Sequence, residues 1–378
     1  MTKRHFTNGL WFVGPQVGVT TLVFGNAGGG KTTLARTLAE TKSKLSPQNP
    51  WPFLVMSADG EAADIGGYPV VNEVVFEKKT YKVMDKVLPR ALQKAMLTHC
   101  VVLMDDVGDW SPAHQAVAQE IFRKGIPGSC VMAAANPPEV STAGFELSMP
   151  LTNRLHISEW EPMDSTFLEG LQNGGRFPTP EVPIVPDNWE AFKLEIGPLF
   201  AGFLKSFPDK INDPPRDVSA GCGKPFATPR SWENALKMAA GVKAVNGSEQ
   251  MELGALAGCV GLAIAEQFWA WARAQEIPDP ADILKNPKGW KIPRRGDLAF
   301  ATKGAILGYL ARNTSWENWE LAKDVCEYLY ESGNRELAVL MHADLFLGSV
   351  KPHGEPKIRT NATAKALCAG MTPYLLGR

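Results

Sequence analysis

The amino-acid sequence predicts an α/β layered fold with a mainly parallel sheet, followed by helical regions. Three observations carry this. Across residues 1–160, short β-rich apolar runs alternate with stretches of helical spacing, the pattern of strands joined by crossover helices. Three of the runs, 53–56, 101–104 and 130–135, are apolar throughout, as expected of buried strands. Beyond residue 160 prolines recur, from Pro162 to Pro229, and helical patterns then return, so the sheet is expected to end there. This divides the chain into a layered core over 1–160, a Pro-rich insertion with a helical segment over 161–250, and a C-terminal helical region over 251–378 with a polar tail.

The elements follow in order. Residues 19–24 read as a strand ending in a glycine loop, and residues 31–42 as the next helix. Residues 53–56 form a short buried strand. Residues 70–83 alternate around Glu77-Lys78-Lys79 and predict a hairpin. Helical spacing is expected over 84–98. Residues 101–104 are apolar and end at two aspartates. A helix over 111–124 has Ser111 as N-cap and Pro112 in its first turn. Residues 130–135 and 155–158 are the last strands of the core. Helices are predicted over 231–245 and 251–275, and two or three more over 301–347.

Composition sets limits on function. The chain has 378 residues with 44% hydrophobic and 21% charged residues and a net charge of −1. That is ordinary for a globular chain with a sizeable core, and no global basic field draws it to nucleic acid or anionic lipid. Cys100, Cys130, Cys222, Cys259, Cys326 and Cys368 show no metal-ligand spacing, which suits reduced, packed thiols in a cytoplasmic protein. The apolar stretch 10–13 is broken by Pro15 and Gly18, unlike a leader. Residues 253–265 are too short to span a bilayer, and Gly254, Gly258 and Gly261 suit close packing of a buried helix.

One motif is complete. Gly25-Asn26-Ala27-Gly28-Gly29-Gly30-Lys31-Thr32 matches the phosphate-binding loop G-x-x-x-x-G-K-[ST], with a strand before it and a helix, opening through Thr33, after it. Its glycines let backbone N–H groups turn toward phosphates, Lys31 brings charge to the β- and γ-phosphates, and the Thr32 hydroxyl ligates Mg²⁺. The helix directs its positive end at the anion. ATP and Mg²⁺ are therefore the expected cofactors. Asp105, at the end of the 101–104 strand, is placed to hold Mg²⁺, and Asp106 to orient or deprotonate an attacking water. Asn136 ends the 130–135 strand, where its amide would meet the γ-phosphate and that water.

The order of these motifs, followed by Asn153-Arg154-Leu155, resembles the AAA+ ATPases, and in particular their MoxR-like members. Leu151-Thr152-Asn153-Arg154-Leu155 is similar to the segment that presents their arginine finger, and Asn136-Pro137-Pro138-Glu139 to their sensor 1. Ala227-Thr228-Pro229-Arg230 is similar to sensor 2, where Arg230 opens a lid helix and adds positive charge to the nucleotide. Asp64-Ile65-Gly66-Gly67-Tyr68-Pro69 resembles a loop of related bacterial and phage ATPases, and the 70–83 hairpin occupies the place of their inserts. Asp106 departs from the family's usual Glu by one methylene, and the Pro-rich insertion precedes sensor 2. Arg123 is a second finger candidate.

The resemblance covers about residues 10–245. It implies a P-loop AAA+ αβα core with a helical lid, ATP hydrolysis, a homo-oligomeric, hexameric ring, and protein remodelling with a separate partner bearing a von Willebrand factor A domain. A nucleic-acid motor, which the near-neutral charge disfavours, a small-molecule kinase and a slow nucleotide-gated assembly factor are the alternatives.

Overall fold

The computed structural model describes residues 4–57, 61–140, 146–160, 164–217, 223–275, 277–347, 350 and 352. Five strands form one sheet: β1 (Thr21–Phe24), β2 (Phe53–Met56), β5 (Val101–Met104), β6 (Cys130–Ala135) and β7 (His156–Glu159). Their order is β2-β5-β6-β1-β7, and every described pairing is parallel. Helices α1 (Arg4–Gln16), α2 (Lys31–Leu45), α3 (Ala63–Gly66), α4 (Arg90–Leu97), α5 (Pro112–Lys124) and α6 (Met149–Thr152) accompany them.

The strand period of two distributes side chains to two cores. Leu22, Val102, Met104, Val131 and Ala133 pack with Ile65 of α3, Leu92 of α4 and Ile121 of α5. Val23, Val101, Leu103, Met132 and Ala134 pack with Trp11 and Phe12 of α1 and Leu34 and Leu38 of α2. Both faces are covered, which is why β5 and β6 are buried at every position. The apolar stretch 10–13 thus lies in α1. There Trp11 Nε1 donates to the Thr21 carbonyl at 3.2 Å, and the Thr21 hydroxyl donates back to the Trp11 carbonyl at 3.1 Å.

β3 (Tyr68–Phe76) and β4 (Lys79–Val87) form a separate two-stranded ribbon. Its turn places Glu77 and Lys78 at φ 48° and 64°. The helix expected over 84–98 is therefore corrected. Pairing with β3 holds residues 84–87 extended, and Pro89 disfavours helical backbone at Leu88, so α4 starts at Arg90.

The chain divides into two compact units, Met1–Val185 with Lys210–Glu266, and Pro186–Asp209 with Gln267–Arg378. These limits cut across the boundaries expected at 160 and 250. In the first unit, α9 (Pro229–Ala244) and α10 (Glu249–Val260) pack on α1, and α10 also on β7. The expected 251–275 helix breaks at Gly261, whose φ of 91° ends α10, and α11 (Leu262–Arg273) follows. A Cβ on Gly258 would lie 2.3 Å from His156 Nε2, so that glycine does serve close packing.

The 161–230 region is not loop alone. It contains α7 (Asp164–Gln172) and α8 (Glu190–Ser206), with Pro198 inside α8. In the second unit α8 packs on α13 (Gly296–Arg312). A Cβ on Gly304 would come within 2.3 Å of Pro198 Cγ and 2.7 Å of the Leu194 carbonyl. Tertiary packing thus overrides the local cost of the proline. The second unit also contains the end of α11 from Gln267, and α12 (Pro280–Lys285), α14 (Trp316–Glu331) and α15 (Arg335–Leu347), with a core closed around Trp290, Trp319 and Leu329. Among the described residues no helix is long and apolar enough to cross a membrane.

Candidate functional site

Parallel strands place all their carboxyl ends on one side of the sheet. β1 runs straight into the glycine loop, whose first residue still belongs to the sheet: Gly25 N–H donates to the Ala135 carbonyl at 3.0 Å. Gly28 and Gly30 have φ of 75° and 82°, a backbone that a side chain would strain. Lys31 follows as the first residue of α2 and is 7% exposed. Its ammonium donates to the carbonyls of Gly25 (2.5 Å) and Asn26 (3.1 Å) and to Asn136 Oδ1 (3.0 Å).

Strand order explains the last contact. β6 lies between β1 and β5, so the residue ending β6 falls between the glycine loop and the acidic pair. Asn136 bridges them: its Oδ1 accepts from Lys31, and its Nδ2 donates to Asp106 Oδ1 at 3.3 Å. The Thr32 hydroxyl donates to Asp105 Oδ2 at 2.9 Å. Asp106 takes the left-handed conformation, φ 51°, which aspartate tolerates better than most residues. The turn is closed by Asp109 N–H donating to the Asp106 carbonyl at 2.9 Å.

Electrostatics tie these groups together. Burial lowers the Lys31 pKa, and the charges of Asp106 and Asp105 oppose that shift. The hydroxyl–carboxylate pair of Thr32 and Asp105 supplies adjacent hard oxygens. Among the described residues no group of three or more His, Cys, Asp or Glu side chains forms a metal site. Two protein oxygens suit Mg²⁺, which takes few protein ligands and completes its shell with phosphates and water. Gly25–Thr32 could therefore hold phosphates, and Thr32 and Asp105 an accompanying Mg²⁺ ion. Ala27 and Thr33 are exposed on this rim.

Two tryptophans complete the site without any signal in the motif spacing. Trp160, just after β7, donates from Nε1 to the Gly29 carbonyl at 2.8 Å. A Cβ on Gly25 would lie 2.8 Å from its ring. Buried Trp110 donates from Nε1 to the Asp105 carbonyl at 3.0 Å. The Trp110 carbonyl in turn accepts from buried Gln115 at 3.1 Å. Both indoles fix backbone that the charged residues depend on.

Arg154 and Arg230 are not brought to this end. Register pairs Thr21 with His156 and Phe24 with Glu159, so Arg154 precedes β7 at the sheet's amino-terminal edge. The whole length of β7, His156–Glu159, about 10 Å of extended chain, separates it from the carboxyl edge. Thr228, the N-cap of α9, donates from its hydroxyl to Asn153 Oδ1 at 2.7 Å, which fixes Arg230 on the same side. Arg230, expected to add positive charge to the nucleotide, thus stands with Asn153 and Arg154 and not with Lys31, Asp105 and Asp106. Arg154 Nη1 donates to the Pro150 carbonyl, and its Nε is buried without a described partner. Burial, then the positive charges of Arg230 and Arg123, lower its pKa.

The sequence matches no family model, and no curated protein matches it.

Proposed function

We propose that the chain is an ATP-binding, ATP-hydrolysing P-loop protein of AAA+ type. The observation that supports this best is the bridge by which Asn136 joins Lys31 to Asp106, beside the Thr32–Asp105 pair. Lys31 and the loop amides bind the β- and γ-phosphates. Mg²⁺, when bound, supplies charge neutralisation at those oxygens. Asp106 accepts a proton from the attacking water, and Asn136 orients that water against the γ-phosphate. The remaining αβα, lid and sensor assignments rest on the resemblance described above.

The amino-edge position of Arg154 and Arg230 favours action on the nucleotide of a neighbouring copy, in a homo-oligomeric and by resemblance hexameric ring. Such a ring would remodel protein clients with a separate partner, by resemblance one bearing a von Willebrand factor A domain. Calorimetry of ATP–Mg²⁺ binding together with phosphate release by the purified chain tests the reading. Binding with turnover supports it. Binding without turnover favours the slow assembly factor, and no binding removes the P-loop assignment.

A further inference from the structure

A cleft of about 460 Å³ opens at the amino-terminal edge of the sheet, lined among others by Lys42, Arg123, Lys237, Trp51 and Gly128. Its volume lies within the ordinary range of small-molecule sites. No carboxylate lines it among the described residues. Lys237 pairs with Glu233 at 2.7 Å and Arg123 lies 3.8 Å from Glu120, but both carboxylates stand outside the lining. Lys42 makes no ion pair among the described residues. Its ammonium sits 4.4 Å from the Trp51 ring centroid, and that ring stacks on His99 at 5.4 Å.

Cations from three elements therefore face one concavity: Lys42 from α2, Arg123 from α5 and Lys237 from α9. Like charges converging on a cleft focus a positive potential into it; Glu233 and Glu120, behind the lining, offset part of it, and Lys42 keeps its full charge. The cleft is separate from the glycine loop. Lys42 lies eleven residues along α2 from Lys31, about 16 Å of helix. We infer that this cleft is a second anion site, one that takes a phosphate chain: two or three linked phosphates bridging Lys42, Arg123 and Lys237. A single phosphate would leave most of the volume unfilled. The chain could be inorganic polyphosphate or that of a nucleotide, whose base would then lie against Trp51.

The test uses the full chain carrying Lys31→Ala, so that it does not depend on the P-loop reading. Inorganic tripolyphosphate, pyrophosphate and ADP are titrated by calorimetry at physiological salt. Tripolyphosphate is expected to bind at one site per chain, and Lys42→Gln with Lys237→Gln is expected to weaken it at least tenfold. The half-buried positions of both lysines suit these substitutions, and exposed Arg123→Gln gives an independent second variant with the same expected direction. ADP binding tighter than pyrophosphate, with the gain lost in Trp51→Ala, assigns a nucleotide. Equal affinities assign inorganic polyphosphate. Absence of tripolyphosphate binding, or binding untouched by all three substitutions, overturns the proposal.

Discussion

At the carboxyl ends of β1, β5 and β6, Lys31 is buried beside Asp105 and Asp106, whereas at the amino edge of the same sheet Arg154 is half-buried near Arg123 and Arg230. Burial disfavours the charged form in both places. At Lys31 two carboxylates counter it; at Arg154 neighbouring cations add to it. The first end carries its own counter-charge and could receive a polyanion together with a metal cation. The second has its positive charge concentrated, which favours an anion supplied from outside the chain, whether in the proposed cleft or on a neighbouring copy.

The comparison is broken most severely at the arginine end. Arg154→Ala is expected to lower ATP turnover by about 10³-fold, the lower part of the range for arginine fingers, while ATP affinity is unchanged. Mixing it with Asp106→Asn separates the two ends: interfaces that join an intact acid to an intact arginine should restore part of the activity. Full turnover by Arg154→Ala alone would move the role to Arg123. No recovery in demonstrably mixed assemblies would count against action between copies.

Asp106→Asn keeps the shape and removes the base. Turnover should fall by about 10²–10⁴-fold with ATP still bound, read by phosphate release and calorimetry on one preparation. Persisting turnover would shift attention to Asp109. Lys31→Ala acts on binding instead. Loss of a charged donor from a buried cradle should weaken ATP by on the order of 100-fold, and unchanged affinity would rule out the phosphate role.

The arginine end also has its own pH dependence. Buried His156 opens β7, and its Nε2 lies 3.1 Å from the Gly254 carbonyl. Burial first of all lowers its pKa from 6.5 to about 4, so the folded chain holds it neutral. Between those values the unfolded chain binds the extra proton. The stability is therefore fully present above about pH 6.5 and is lost as pH falls toward 4, by about 3 kcal/mol in all. Denaturant unfolding across that window should show the slope, and His156→Gln should flatten it. An identical slope in the variant would assign the acid sensitivity elsewhere.

The smallest effect belongs to the glycine loop. Trp160→Phe keeps a ring against Gly25 but removes the 2.8 Å bond to the Gly29 carbonyl. A neutral hydrogen bond contributes about 1 kcal/mol, so ATP affinity should drop roughly fivefold. No change by calorimetry would show that the loop holds its shape without the indole.

Local sequence determined the short apolar strands, the glycine loop with Lys31 and Thr32, and the acidic pair at a strand's end, because backbone propensity and contiguous motif chemistry act within a few residues. Even the ribbon was legible from alternation and its turn, although its length was not: pairing, which is non-local, carried β4 to Val87. Only the tertiary structure decided that β6 lies between β1 and β5, and so that Asn136 meets Lys31 across 105 residues of chain. It alone brought Trp160 onto the glycine loop across 131 residues of chain. It also tied Thr228, two residues before Arg230, to Asn153, and kept Pro198 within a helix against Gly304. These outcomes depend on which distant surfaces pack together, and neither spacing nor composition encodes that in any one segment.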